Sequence, residues 1–254
     1  MSIPQLPNPK MQFGVKKPCM TKLPLTLLIP LAEAAKVLDR LHTLPITQRI
    51  NNIMFLLIAY CDGSVNTINN SSHPILVAIV HSLDLAHDVL NGTAVDDRPI
   101  PSKMKFDEAC ARQMALMEKY KDRVPAAPFL ANLQDEHVFP RLSETAPFNE
   151  LPFDMLTLVS VAMYEGAIKY GDHNYRSMDY KILVSTYIDA AFRHILQFCF
   201  FGEDIDVESD SHHLIKLIAS LMVLGDSIFN NQNVIDDRPI PSAAICWEKN
   251  KKNA

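Results

Sequence analysis

The sequence predicts an all-α protein built from two tandem helical repeats that form a pseudo-dimer. Three observations carry this. The octapeptide VDDRPIPS at Val95–Ser102 returns as IDDRPIPS at Ile235–Ser242, with seven of eight positions identical. Self-similarity of this kind sets the architecture of a chain. Between and before the two copies, apolar residues recur at helical spacing. Alternating runs of β-branched residues are scarce, so strands are minor or absent.

The match extends weakly upstream. MFLLIAYCDG (Met54–Gly63) lies against RHILQFCFFG (Arg193–Gly202), and NNSSHPILVAIVHSL (Asn69–Leu83) against ESDSHHLIKLIASLM (Glu208–Met222). LPLTLLIPLAEAAK (Leu23–Lys36) resembles LPFDMLTLVSVAMYEGAIK (Leu151–Lys169), with Glu33 opposite Glu165. The predicted division is a first repeat over 1–103, a connector helix and proline-rich linker over 104–150, and a second repeat over 151–254.

In chain order, residues 1–22 carry prolines and lysines and read as irregular. A helix is expected over about 25–41, interrupted early by Pro30, and another over about 47–60. A third spans about 74–90, with Pro74 in the first turn and Asn91-Gly92 ending it. DDRPIPS reads as a turn whose prolines block further helix. Its repetition is structural, the carboxylates and arginine fixing each turn against its own half. FDEACARQMALMEKYKDR (Phe106–Arg123) is an amphipathic connector helix. The second half repeats the pattern, with helices over about 155–170, 182–200 and 211–229.

A net charge of −5 argues against a general nucleic-acid binder, because phosphate backbones select a basic surface. Five scattered cysteines without a CxxC fit a reducing compartment and neither a disulfide framework nor a zinc site. No run approaches the ~20 apolar residues of a membrane span, and the opening residues lack the form of a signal peptide. The expectation is a soluble cytoplasmic protein, in the host cytoplasm for a viral chain.

The halves differ in charge. Glu203–Asp210 reads EDIDVESD, five carboxylates in eight residues. Opposite Glu203, Asp204, Asp206, Glu208 and Asp210 stand Ser64, Val65, Thr67, Asn69 and Ser71. A lone acidic run is usually a solvated loop. Here one half keeps the apolar pattern without the charges, so the fold does not require them. The alternative is a Mg²⁺ site, since Mg²⁺ takes hard oxygen ligands and shares them with phosphates. Glu165 and Lys169 are four apart and share a helix face, as are Asp189 and Arg193; a surface ion pair is the plain reading of each. His194, His212 and His213, taken singly, read as hydrogen-bonded structural histidines. With no Walker loop and no GxGxxG, any phosphate binding must use Mg²⁺ together with Lys169, Arg193 or Lys216.

GAIKYGDHNYR (Gly166–Arg176), DAAFRHILQFCFFGEDIDVES (Asp189–Ser209) and HHL (His212–Leu214) together resemble the dATP/dGTP diphosphohydrolase family of phages and bacteria. That family shows GAxKYGxxNW, D-A-A-x-R-H and GEDxDxES blocks followed by His-Leu, and groups with the MazG-like all-α nucleoside triphosphate pyrophosphatases. The likeness covers about residues 140–242; the first half shares it only through the repeat. Tyr175 replaces the usual Trp, Asp210 a common Gly and His212 a common Pro. Ala219 and Ser220 stand where MazG-like helices often carry Asp or Asn.

The resemblance implies hydrolysis of a purine deoxynucleoside triphosphate, dGTP or dATP, to the monophosphate and pyrophosphate. It implies Mg²⁺, or Mn²⁺ in its place, on Glu165, Glu203, Asp204, Asp206 and Glu208. It implies catalytic roles for Glu165, Lys169, Arg193 and His194, and substrate contacts from Lys169, Tyr170, Asn174, Tyr175, Arg193, His213 and Lys216. MazG-like enzymes work as oligomers, and duplication supplies a neighbour in the same chain. One site per chain is therefore expected, walled partly by residues 23–95, in a chain that can itself form homo-oligomers. A nucleotide sensor of weak or no activity and a helical interaction protein are the alternatives.

Overall fold

A computed structural model describes residues 20–39, 41–64, 72–99, 111–112, 115, 148–177, 179–230 and 234–238. Six long helices dominate: α1 (Leu25–Val37), α2 (Ile46–Cys61), α3 (Pro74–Asn91), α4 (Phe153–Tyr170), α5 (Val184–Phe200) and α6 (His213–Phe229). The all-α expectation holds. Of the predicted connector helix only residues 111, 112 and 115 are described, as helix. The rest of that helix and most of the proline-rich linker lie outside the described residues.

Helix α1 stops at Val37 rather than near 41, where Leu38 turns extended (φ −87°, ψ 140°). Pro30 does not interrupt it. One missing backbone bond is outweighed by burial of Leu27, Leu31, Ala32, Ala34 and Ala35. Strands are minor, as expected, but they shorten two helices. Ile182–Leu183 (β1) pairs in parallel with Val234–Ile235 (β4), so α5 begins at Val184. Ile205–Asp206 (β2) pairs antiparallel with Ser211–His212 (β3), so α6 begins at His213.

Helices α3 and α6 form the centre. Helix α3 is buried along nearly its whole length and packs on α1, α2 and α6, while α6 packs on α4 and α5. A Cβ on Gly225 of α6 would meet Ile79 of α3 and Leu27 of α1 at 3.3 Å, so glycine permits this close approach. The buried apolar side chains form one cluster from Leu23 to Leu224, drawn from both halves.

The two copies of the repeated turn make matching contacts. Neither α2 nor α5 is capped by the residue at its own N-cap position. Instead Asp97 accepts from Thr47 N (2.9 Å) and from its hydroxyl, and Asp237 accepts from Ser185 N (2.9 Å) and its hydroxyl (2.5 Å). Each aspartate thus supplies, from a distance, the acceptor that a helix start requires. The arginines go elsewhere. Arg98 is clamped by Asp96, donates to Phe198 O of α5 (2.8 Å) and lies 3.9 Å from the centre of the Phe198 ring. Arg238 is clamped by Asp236, donates to Tyr60 O of α2 and lies 4.2 Å from the centre of the Tyr60 ring. The expectation that the turn is fixed wholly against its own half is therefore corrected. The second aspartate serves its own half, and the arginine caps the end of the opposite half's helix, where free carbonyls and the helix dipole attract a cation.

Arg98→Ala should cost about 1.5–3 kcal/mol, because it removes a buried charged donor to Phe198 O at the end of α5. Arg238→Ala should cost less, since the Arg238 side chain is 19 % exposed and that of Arg98 is 0 %. Urea or thermal unfolding of both variants checks this; equal losses would contradict the assignment.

Candidate functional site

Helix α4 presents Glu165, Lys169 and Tyr170 near its C-terminal end, and the first turn of α6 presents His213 and Lys216. Glu165 is 1 % exposed. Two ammoniums hold it: Lys169 Nζ lies 2.8 Å from Oε1, and Lys216 Nζ donates to Oε2 at 3.1 Å. Lys169 Nζ is also 3.8 Å from Glu208 Oε1. Glu33, opposite Glu165 in the sequence comparison, is exposed.

The acidic run is shaped by the β2–β3 pair. Asp206, nearly buried, accepts from the Ser209 hydroxyl at 2.7 Å, while its carbonyl accepts from Ser209 N and Asp210 N. Asp210 has φ +57°, the left-handed region, where glycine sits without strain and aspartate is tolerated. Arg112 Nη1 meets Asp210 Oδ1 at 2.7 Å.

The five carboxylates predicted to bind metal are not gathered together. Glu165 meets both lysines and Glu208 meets Lys169, while the Asp206 carboxylate is taken by Ser209. Asp204 is drawn to Arg98 (3.4 Å), and Glu203, half-exposed, lies 3.9 Å from His213 Nε2. Among the described residues, no three His, Cys, Asp or Glu side chains converge closely enough in this conformation to hold a metal. The donor chemistry of Glu165, Asp206 and Glu208 nonetheless suits a hard divalent cation. All three offer carboxylate oxygens, and lysines stand beside Glu165 and Glu208.

His194 Nδ1 and His213 Nδ1 are 2.9 Å apart and both rings are buried. One ring must donate and the other accept, so the pair is neutral overall. Burial, then Arg193 and His213, push His194 down to about 3. Burial likewise lowers His213 and takes His212 to about 4. Burial would raise Asp206, but the Ser209 bond with His194, His213 and Lys216 outweighs it and holds the carboxyl low. His212 caps α6 by accepting from Leu214 N. Arg193 is exposed on α5; it influences the histidine pair but does not line the cavity described next.

A cavity of about 430 Å³ opens between α4, α5, α6 and the turn after α4. Tyr170, Asn174, Tyr175 and Tyr187 line it, with Ala162, Gly166, Ala190 and Ala219 leaving room between the rings and Lys216 and Lys22 contributing charge. The Tyr175 hydroxyl is buried and makes no hydrogen bond, and burial pushes its pKa up. Of the predicted substrate residues, Tyr170, Asn174, Tyr175 and Lys216 share this wall. Among the described residues of the first half, Lys22 alone reaches it, and no described residue of 23–95 lines this cavity.

Sequence reasoning missed the support behind the cavity. Arg176 meets Asp226 of α6 through Nε and Nη2, both at 2.7 Å, and Thr26 of α1 donates to the same carboxylate at 2.9 Å. Asp172 binds Lys22 at 2.5 Å. The signal was present: Asp226 is the one carboxylate in a largely apolar helix, and a buried charge requires a partner.

Three histidines, His194 and His212 buried and His73 partly so, give a pH prediction. His73 (about 4), His194 and His212 have folded values below the ordinary 6.5, so the unfolded chain binds protons first as pH falls. Stability is full above pH 6.5 and is lost progressively toward pH 3–4. Thermal melting should fall between pH 7.5 and 5, and His194→Gln should shrink that fall; an unchanged slope would contradict it.

No curated protein and no solved structure matches the chain. A family model does, and it covers the segment holding Glu165, Lys169, Asp206, Glu208 and Lys216: residues 140–238 match the dATP/dGTP diphosphohydrolase family, N-terminal region.

Proposed function

We propose that the protein is a divalent-metal-dependent diphosphohydrolase acting on a purine deoxynucleoside triphosphate. The observation that carries this is a buried carboxylate, Glu165, held between two lysines at the edge of a nucleoside-sized cavity. Pockets of roughly 300–1,000 Å³ with a few convergent polar groups are typical of small-ligand sites. The match of residues 140–238 to the diphosphohydrolase family supports the same reading.

The base and sugar would enter among Tyr170, Tyr175 and Tyr187, with the buried Tyr175 hydroxyl free to donate to them. The triphosphate would leave the cavity past Lys216 toward Lys169. Glu165, Asp206 and Glu208 would hold Mg²⁺ or Mn²⁺, which when bound lowers the pKa of water and neutralises phosphate charge. Attack of water on the α-phosphorus breaks its bond to the bridging oxygen, and pyrophosphate carries that oxygen away. Lys169 and Lys216 stabilise the negative charge that develops there. A second reading, a nucleotide sensor without hydrolysis, is favoured by one observation: both lysines already neutralise Glu165.

Pyrophosphate release from all eight NTPs and dNTPs, with and without Mg²⁺, tests this. Purine dNTPs should be cleaved fastest and only with metal, and Glu165→Gln should lower kcat by roughly 10²–10³-fold. Nucleotide-induced thermal stabilisation without pyrophosphate would select the sensor. Neither effect would leave a helical interaction protein.

A further inference from the structure

Two lysines line the cavity, and each already holds a carboxylate. Lys216 is taken by Glu165. Lys22 ends the short turn Met20–Lys22, which packs on α4, and donates to Asp172 Oδ2 at 2.5 Å. Asp172 and its neighbour His173 line the same cavity. His173 Nδ1 donates to Asp172 Oδ1 at 2.8 Å. The Lys22, Asp172 and His173 side chains are 12 %, 21 % and 11 % exposed. Much of the remaining wall is small and apolar, with Ala162, Gly166, Ala219 and Val223.

This polar group is neutral as a whole. Burial would raise Asp172, but Lys22 and His173 outweigh it and hold the carboxyl low, so it is ionised. Burial pushes the His173 imidazole below its ordinary value, so near neutral pH it carries no charge. One positive and one negative charge remain side by side. Such a pair does not attract a phosphate, because the carboxylate cancels the ammonium. It suits a neutral ligand edge on which acceptors and donors adjoin. Its capacity is not exhausted either. A carboxylate oxygen accepts about two hydrogen bonds and an ammonium donates about three. Among the described residues, each Asp172 oxygen has one partner and the Lys22 ammonium has one.

Guanine offers the complement: the acceptor O6 beside the donors N1–H and N2–H. Adenine offers one amino donor and one ring acceptor on that edge, which leaves a carboxylate oxygen unmatched. We infer that Lys22 and Asp172 read the base and select guanine over adenine, Lys22 donating to O6 while the Asp172 oxygens accept from N1–H and N2–H. This rests on the reading that the cavity takes a purine nucleotide with its phosphates beside Lys216. Lys22 belongs to the first half, so that half supplies a specificity residue while the carboxylates assigned to metal lie in the second.

The test is calorimetry on the full chain with dGMP, dAMP and dIMP, without metal and without any need for hydrolysis. Wild type should bind dGMP at least about tenfold more tightly than dAMP, with dIMP, which lacks the 2-amino group, between them. Lys22→Met should weaken dGMP about ten- to a hundredfold, as loss of a charged hydrogen bond does, and dAMP much less. Asp172→Asn puts a donor in place of an acceptor. It should weaken dGMP similarly and strengthen binding of deoxyxanthosine monophosphate, which carries an oxygen where guanine has its amino group. A damaged fold cannot produce that gain, so it decides the question even where the Lys22 variant melts early. An unchanged ratio of dGMP to dAMP affinity in both variants makes the pair a structural tie and overturns the inference. Selective dGMP binding without pyrophosphate release from dGTP keeps the base assignment and removes the hydrolase. Hydrolysis of dGTP and dATP with equal kcat/KM does the reverse.

Discussion

Four of the charges buried among the described helices are buried with an opposite charge beside them. Glu165 has Lys169 and Lys216, Asp226 has Arg176, Asp88 has Arg49 at 2.7 Å, and Arg98 has Asp96. An uncompensated ion inside apolar packing costs several kcal/mol, so these pairs decide which helices can lie together. Asp226 and Arg176 tie α6 to the turn after α4, with Thr26 adding α1. Arg98 ties the first repeated turn to the end of α5. The apolar cluster supplies the driving force for collapse, and the pairs select one arrangement of it.

The candidate site uses the same rule with softer components. Where the scaffold pairs are clamped, arginine fills the cationic role with planar, directed bonds. Beside Glu165 both cations are lysines, whose stems allow their charge to be relocated. An arginine pair, Arg176 with Asp226, stands behind the cavity, and lysine pairs stand at its edge. The Asp206 turn, closed by Ser209, adds a further nearly buried carboxylate.

The repeated DDRPIPS turns show how a local motif acquires a long-range role. Their aspartates do what the sequence suggests, restraining the start of a helix in the same half. Their arginines exchange partners, Arg98 going to Phe198 and Arg238 to Tyr60. Each turn therefore measures the position of the opposite half as well as its own. Because Arg98 also touches Asp204, the first half reaches the edge of the acidic run without walling the cavity.

Helix positions, the minor role of strands and the placement of charge in the second half were legible in the sequence, because helical periodicity and turn residues act over a few positions. The i, i+4 relation of Glu165 and Lys169 was legible for the same reason. Three things were not. Lys216 at Glu165, Asp226 behind Arg176 and the division of the acidic run between Lys169, Arg98 and His213 all join segments far apart in the chain. Sequence specified which groups carry charge; only the packing of α4 against α6, and of the repeated turns against opposite helices, decided which charge meets which, since desolvation makes pairing obligatory only once the helices have come together.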